Sequence, residues 1–213
     1  MIIAPNSQLE TNVWVKSSPE QFLEIADKLS HPKAKLYYHR GCMRVEMSPV
    51  GPLHARQNSI ISKVISLYAT VKNIRIVELV NASFRQPAKS EFQPNLSYYI
   101  GREFELPPRT NTPISLNEFS PPSLVVEIGA SSVNDDLGTK RLLYENSGVE
   151  EYWVIDANSD NVIAFSISDG RSGTVQESLV LPGLVISLVE LALKRSQTED
   201  DGAINRWLLQ TFS

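Results

Sequence analysis

Ser123-Leu124-Val125-Val126-Glu127-Ile128 is the stretch on which the fold turns. Apart from its first serine and one carboxylate it is a nearly continuous apolar run of strand length. Such a run, without polar alternation, is expected where a sheet is covered on both faces. Just beyond it, Asn134-Asp135-Asp136 supplies a capping residue and negative charge for a helix start. That helix is expected to run to about Asn146 and to end at Gly148, a C-cap residue. Glu151 to Asp156 then reads as a further buried strand, and the unit strand–helix–strand points to an α/β fold.

Working outward toward the C-terminus, Val162 to Ile167 and Val175 to Leu179 read as strands. Ile186 to Leu193 and Ile204 to Leu209 resume helical character. Toward the N-terminus, Leu96, Tyr98 and Ile100 alternate with Asn95, Ser97 and Tyr99, the strand period. Ile74 to Val80 and Ala82 to Gln86 read as strands as well. From Leu53 to Lys72, the apolar residues Ile60, Ile61, Val64, Ile65, Tyr68 and Val71 recur three and four apart and predict a long helix.

Before that helix stands the breaker cluster Ser48-Pro49-Val50-Gly51-Pro52, preceded by a hairpin of Lys35 to His39 and Met43 to Met47 turning near Arg40-Gly41. Ser18 caps and Pro19 opens a first helix with Phe22, Leu23, Ile25, Ala26 and Leu29 on its apolar face, ended by His31-Pro32. Residues 102–120, rich in Pro and Asn, read as a long irregular excursion. No internal repeat or long linker divides the chain. The expectation is an N-terminal lead-in over residues 1–35 and one domain over 36–213.

Composition bounds the remaining classes. At 213 residues, 42% apolar and 21% charged, the chain suits one full-sized core. No run approaches the roughly 18 apolar residues that cross a bilayer, and the N-terminus lacks the basic flank of a signal peptide. No membrane association is expected. The single cysteine, Cys42, fits a reducing cytoplasm. The formal charge of -4, with scattered basic residues, does not by itself point to nucleic acid. There is no G-x-S-x-G elbow, C-x-x-C pair or P-loop, and three scattered histidines make a poor zinc site.

Two residues stand out chemically. Glu127 ends an otherwise apolar strand, where a charge is costly to bury unless it is paired or binds a metal. A carboxylate that simply reaches solvent at the strand end explains it equally well. Leu137, Lys140 and Tyr144 lie at i, i+3 and i+7, so a helix with Leu137 and Tyr144 inward turns Lys140 toward the sheet. The plainer alternative is a surface pair with Asp136, worth about 0.3–0.5 kcal/mol.

Taken together, PNLSYYIG from Pro94, VVEI from Val125 and DDLGTKRLLYENSGVEEYWVID from Asp135 to Asp156 resemble the Uma-two family of restriction endonucleases, within the PD-(D/E)XK nuclease superfamily. MSPVGPLHA from Met47 and LPGLVISL from Leu181 extend the likeness to most of the chain, from about Leu36 onward. The resemblance implies an α/β restriction-endonuclease-like mixed β-sheet core flanked by helices, with an N-terminal hairpin and helix region. It also implies a metal-dependent DNA endonuclease that hydrolyses phosphodiester bonds with Mg or Mn.

On that pattern the catalytic positions are Asn95, Glu127 and Lys140, and the metal ligands are Asn95, Glu127 and the carbonyl of Ile128. His54 is a candidate for substrate binding, with a helix-start cap as the alternative. Two departures matter. The superfamily's usual lysine position, two after the glutamate, is Gly129, so Lys140 stands in for it. Asn95 stands where the family has aspartate, which removes one formal charge from the metal shell. Glu91 or Glu46 could compensate, although Glu46 otherwise reads as a solvated strand residue and Asp136 as a helix-start acid. The partner implied is nucleic acid, specifically DNA, and a homodimer would let two sites cut two strands. The competing reading is a catalytically degenerate nuclease fold kept as a nucleic-acid-binding or protein-interaction module.

Overall fold

In a computed structural model that describes residues 10–29, 34–47 and 51–213, the chain forms two six-stranded sheets. The central strand of the larger sheet is β9 (Leu124–Gly129), buried throughout as its continuous apolar run requires. It pairs in parallel with β10 (Glu151–Asp156) and antiparallel with β7 (Leu96–Ile100). Outside these lie β4 (Ile76–Val80) on one edge, and β11 (Asn161–Ser168) and β12 (Arg171–Val175) on the other. The sheet is therefore mixed.

One face of this sheet is covered by three helices, α2 (Pro52–Val71), α5 (Ile186–Arg195) and α6 (Asp201–Phe212). The i, i+3, i+4 stripe of α2 is the part that packs: Ile60, Ile61, Val64 and Ile65 are fully buried against Leu124, Val126, Trp153 and Ile155. The other face is covered by α4 (Arg141–Ser147) and by the smaller sheet. That sheet holds, in order, β1 (Trp14–Lys16), β3 (Cys42–Met47), β2 (Ala34–His39), β6 (Ser90–Phe92), β5 (Phe84–Gln86) and β8 (Ile114–Ser115). Tyr37, Phe84, Phe92, Tyr144 and Tyr152 fill the space between the layers.

Several expectations need correction. The helix after β9 is not continuous. A short α3 (Val133–Asp135) runs into a π-helical turn over Asp136–Lys140, where Gly138 leaves helical geometry, and α4 begins only at Arg141. The supposed irregular excursion contains β8, which pairs in parallel with β5. The last strand is Arg171–Val175, and the segment beyond contributes only the bridge Glu177–Val185. Ser18 does cap α1 (Pro19–Lys28), with Gln21 completing a capping box. The helix stop at His31-Pro32 and the first part of the breaker cluster lie outside the described residues.

The chain leaves β9 with little room. A Cβ on Gly129 would overlap Ser132 Oγ and come within 2.6 Å of Asp136 Oδ2, two atoms bonded to each other at 2.8 Å. A side chain at this position forces that bond apart. Gly129→Ala should therefore lose about 1–3 kcal/mol of stability in urea unfolding. An unchanged midpoint would contradict the crowding described here.

Candidate active site

Parity along β9 decides what Glu127 meets. Leu124, Val126 and Ile128 pack toward α2, while Val125 packs toward α4 and the smaller sheet. Glu127 shares the parity of Val125. Its carboxylate is buried rather than solvated, 1% exposed. Tyr144 Oη donates to Glu127 Oε1 at 2.7 Å. Tyr37 Oη lies 2.9 Å from the same oxygen and 2.9 Å from Gln93 O, one phenolic proton between two acceptors. Burial first, and Glu127 next, push both phenols well above their ordinary pKa, so they remain donors.

Lys140 faces inward, as the Leu137–Lys140–Tyr144 spacing predicts, and is fully buried. Its ammonium is 2.7 Å from Glu46 Oε2, 2.9 Å from Asp136 Oδ1 and 3.6 Å from Glu127 Oε1, and sits 4.3 Å from the Tyr37 ring centre. Burial alone would lower its pKa, but Glu127, Asp136 and Glu46 together raise it, so it stays charged. Burial pushes Asp136 up to about 6, against the pull of Lys140. Burial also works against Glu46, yet Lys140, Lys35 and Arg44 hold that carboxyl below its usual value.

Glu46 and Asp136 thus correct the expectations of a solvated strand residue and a plain helix-start acid. Both belong to the buried cluster, because the smaller sheet and the π-helical turn close over the positions that would otherwise be wet. Glu91 does not approach this cluster. It is ion-paired with Arg85 on the neighbouring strand, in a separate cleft.

In front of the cluster opens a cleft of about 360 Å³ between β2–β3, the start of α2 and the end of β9. Asn95, Ile128 and His54 all line it, as do Lys35, Arg44 and Glu46. Glu127 and Lys140 do not line it and stand behind it. The three residues the sequence left unassigned here are Lys35, Arg44 and Tyr37. Their signal was present: the hairpin register pairs Lys35 with Glu46 and Tyr37 with Arg44, so all four side chains share one face. Arg44 is consumed locally, binding Glu46 Oε2 at 3.2 Å, Asp135 Oδ2 at 2.5 Å and Asn12 O at 2.6 Å.

His54, Asn95 and Ile128 form a connected group. Asn58 Nδ2 donates to the His54 carbonyl at 2.9 Å and reaches Nδ1 at 3.0 Å, which makes Nδ1 the acceptor and puts the ring proton on Nε2. Nε2 then donates to Ile128 O at 3.1 Å. Burial, then the nearby Lys35, hold His54 below its usual pKa, consistent with a neutral ring. Asn95 Oδ1 accepts from Ile128 N at 3.1 Å, which leaves its Nδ2 facing Nε2 at 3.1 Å. In this tautomer Asn95 accepts one N–H through Oδ1 and turns its own Nδ2 toward a ring nitrogen that already carries a proton. A carboxylate oxygen there would not oppose the ring nitrogen, whereas the asparagine N–H does.

This bears on the implied divalent cation. The Asn95 oxygen is taken by Ile128 N–H, and Glu127 Oε1 by a phenol and the ammonium. The three carboxylates that gather here gather on Lys140. Among the described residues no group of three or more His, Cys, Asp or Glu side chains is arranged to hold a metal ion. The residues as they stand do not fit Mg or Mn.

The family model for Uma2, described as "Putative restriction endonuclease", matches residues 19–199. The chain belongs to the Uma2 family. Its nuclease fold is also found in a crystal structure described as that of a putative nuclease belonging to DUF820 from Anabaena variabilis ATCC 29413. The two share 18% identity with a TM-score of 0.56, over 83% of this chain and 98% of that one, a likeness of fold. No curated protein matches the chain. Among the described residues, no helix of this Uma2 protein is long and apolar enough to cross a membrane.

Removing one member of a buried ion cluster strands the others. Lys140→Met should cost about 3–5 kcal/mol at pH 7. Asp136, already pushed to about 6 with Lys140 beside it, goes higher once that pull is removed, so it takes up a proton more readily as pH falls and relieves the uncompensated charge. The deficit should therefore shrink between pH 7 and pH 5 in chemical unfolding. A loss of about 1 kcal/mol or less at pH 7, the worth of a surface pair, would contradict the burial of this cluster.

Proposed function

We propose that this Uma2 protein engages DNA phosphates in the cleft in front of Lys140, and that its phosphodiester hydrolysis is attenuated by Asn95. The observation that carries this reading is that Asn95 accepts from Ile128 N–H while its own Nδ2 faces the protonated Nε2 of His54 at 3.1 Å. The surroundings are those of a carboxylate, and an amide stands in them. An amide contributes no charge toward a hard cation, so the site keeps its frame and loses part of its electrostatics.

On this reading Lys140 is a positioning residue. Its raised pKa keeps it from serving as a base, and its ammonium holds Glu46 and Glu127 at the back of the cleft. His54, at the start of α2, lines the cleft where a phosphate would enter and orients the Ile128 carbonyl. Two copies acting as a homodimer would be needed to cut both strands simply. A single free cysteine accords with a cytoplasmic setting.

Retained nuclease activity in the chain as it stands is the second reading. It is favoured by Glu46, a cleft-lining carboxylate able to supply the charge that Asn95 lacks. Plasmid nicking in Mg or Mn separates the two. Attenuation predicts that Asn95→Asp cleaves faster than wild type by about tenfold or more, and that Glu127→Gln in the Asn95→Asp background abolishes the gain. Wild type that cleaves as fast as Asn95→Asp, with both stopped by chelator, would establish the second reading instead.

A further inference from the structure

Lys35 is a lysine in an unusual position. It lies on β2, is 4% exposed, and lines the cleft opposite His54 and Asn95. Lys140 has three carboxylates within 3.6 Å, and Arg44 has two carboxylates and a carbonyl. Among the described residues, Lys35 Nζ has neither an ion pair nor a hydrogen bond. Glu127, Glu46 and Asp136 attract it at longer range, but burial first and the charge of Lys140 next outweigh them, so its ammonium is held below its usual pKa.

A buried ammonium with no partner costs stability unless it gives up its proton or a group from outside the chain supplies the counter-charge. The open side of Lys35 is the cleft, and its other cations are spent: Arg44 is fully paired and His54 is neutral. The missing partner must therefore be an anion that enters from solvent. It must be small enough at its charged end for a cleft of about 360 Å³ and must have oxygens that accept N–H donors. A phosphate group meets these conditions.

We propose that Lys35, rather than Lys140, is the lysine that binds the substrate's phosphate in this cleft. It rests on the reading that the cleft takes nucleic-acid phosphate. The same chemistry would also serve a free phosphorylated ligand. The hairpin register explains the geometry. Lys35 lies across from Glu46 in the strand register, which puts it on the cleft side of the strand that carries the carboxylate anchoring Lys140.

The test compares wild type, Lys35→Met and Lys89→Met, the last an exposed lysine that lines no part of the cleft. Binding of a fluorescein-labelled DNA duplex is measured across a salt series, with inorganic phosphate and a mononucleotide as competitors, and melting is followed for each protein. Lys35→Met should weaken duplex binding by about tenfold and reduce the salt slope by about one, while Lys89→Met leaves both unchanged. Its melting temperature should equal or exceed that of wild type, because an unpaired buried charge has been removed.

Duplex binding untouched in Lys35→Met overturns the assignment and leaves the nucleic-acid reading standing. A marked drop in its melting temperature also overturns it, since Lys35 would then be a structural member. Wild type that binds phosphate or the mononucleotide through Lys35 but no duplex upholds Lys35 and overturns the nucleic-acid reading. Wild type that binds none of the probes overturns both.

Discussion

One ammonium shared by three carboxylates governs this molecule. Lys140 is fully buried, and Glu46, Asp136 and Glu127 reach it from three different elements: the hairpin of the smaller sheet, the π-helical turn and the central strand. A cluster of this kind is weak evidence for stability, since a well-packed apolar replacement often does as well. Its consequence is positional. It ties the smaller sheet to the larger one at the point where the cleft opens, and it fixes the rotamers of the two carboxylates that stand behind and beside that opening. The Trp14 indole, which donates to Asp135 at 3.0 Å, and the Arg44 guanidinium extend the same network to β1 and α3.

Lys140 lies on the turn after β9, and β9 itself has no room for a side chain two residues after Glu127. At Gly129 a side chain would run into Ser132 and Asp136. The turn that brings Asp136 under Lys140 leaves no space for a lysine two residues after Glu127. Past the π-helical turn, where Gly138 leaves helical geometry, the chain still presents Lys140 and Tyr144 to the interior. The price of that arrangement is a cation sealed behind the cleft, out of direct reach of anything bound in it.

Much of this was legible in the sequence. The unbroken apolar run at 124–126 and the 3.6-residue stripe of α2 report burial directly, and the structure follows them; the alternation of β7 reports the strand, but Ser97 and Tyr99 on its other face are buried as well. Glu127 and Lys140 could be brought together from helical spacing and strand position. What escaped depends on tertiary pairing. β1, β6 and β8 are two or three residues long and exist because neighbours accept their backbone bonds. Lys35, Arg44 and Glu46 alternate with apolar residues as solvated strand residues do, so nothing local reveals that another layer covers them. The register through Arg40-Gly41 did place Lys35 across from Glu46, and a buried charged face was the one step left to infer. The amide at residue 95 was visible in the sequence, whereas the Ile128 N–H and the His54 ring that flank it were not.

The central claim is that this Uma2 chain keeps the frame of a nuclease site while the amide at residue 95 withholds the charge that a divalent cation needs. Calorimetric titration of manganese into wild type and into Asn95→Asp tests it most directly. The account predicts no saturable heat for wild type and one ion bound per chain for Asn95→Asp. One ion bound by wild type as tightly as by the variant would contradict it.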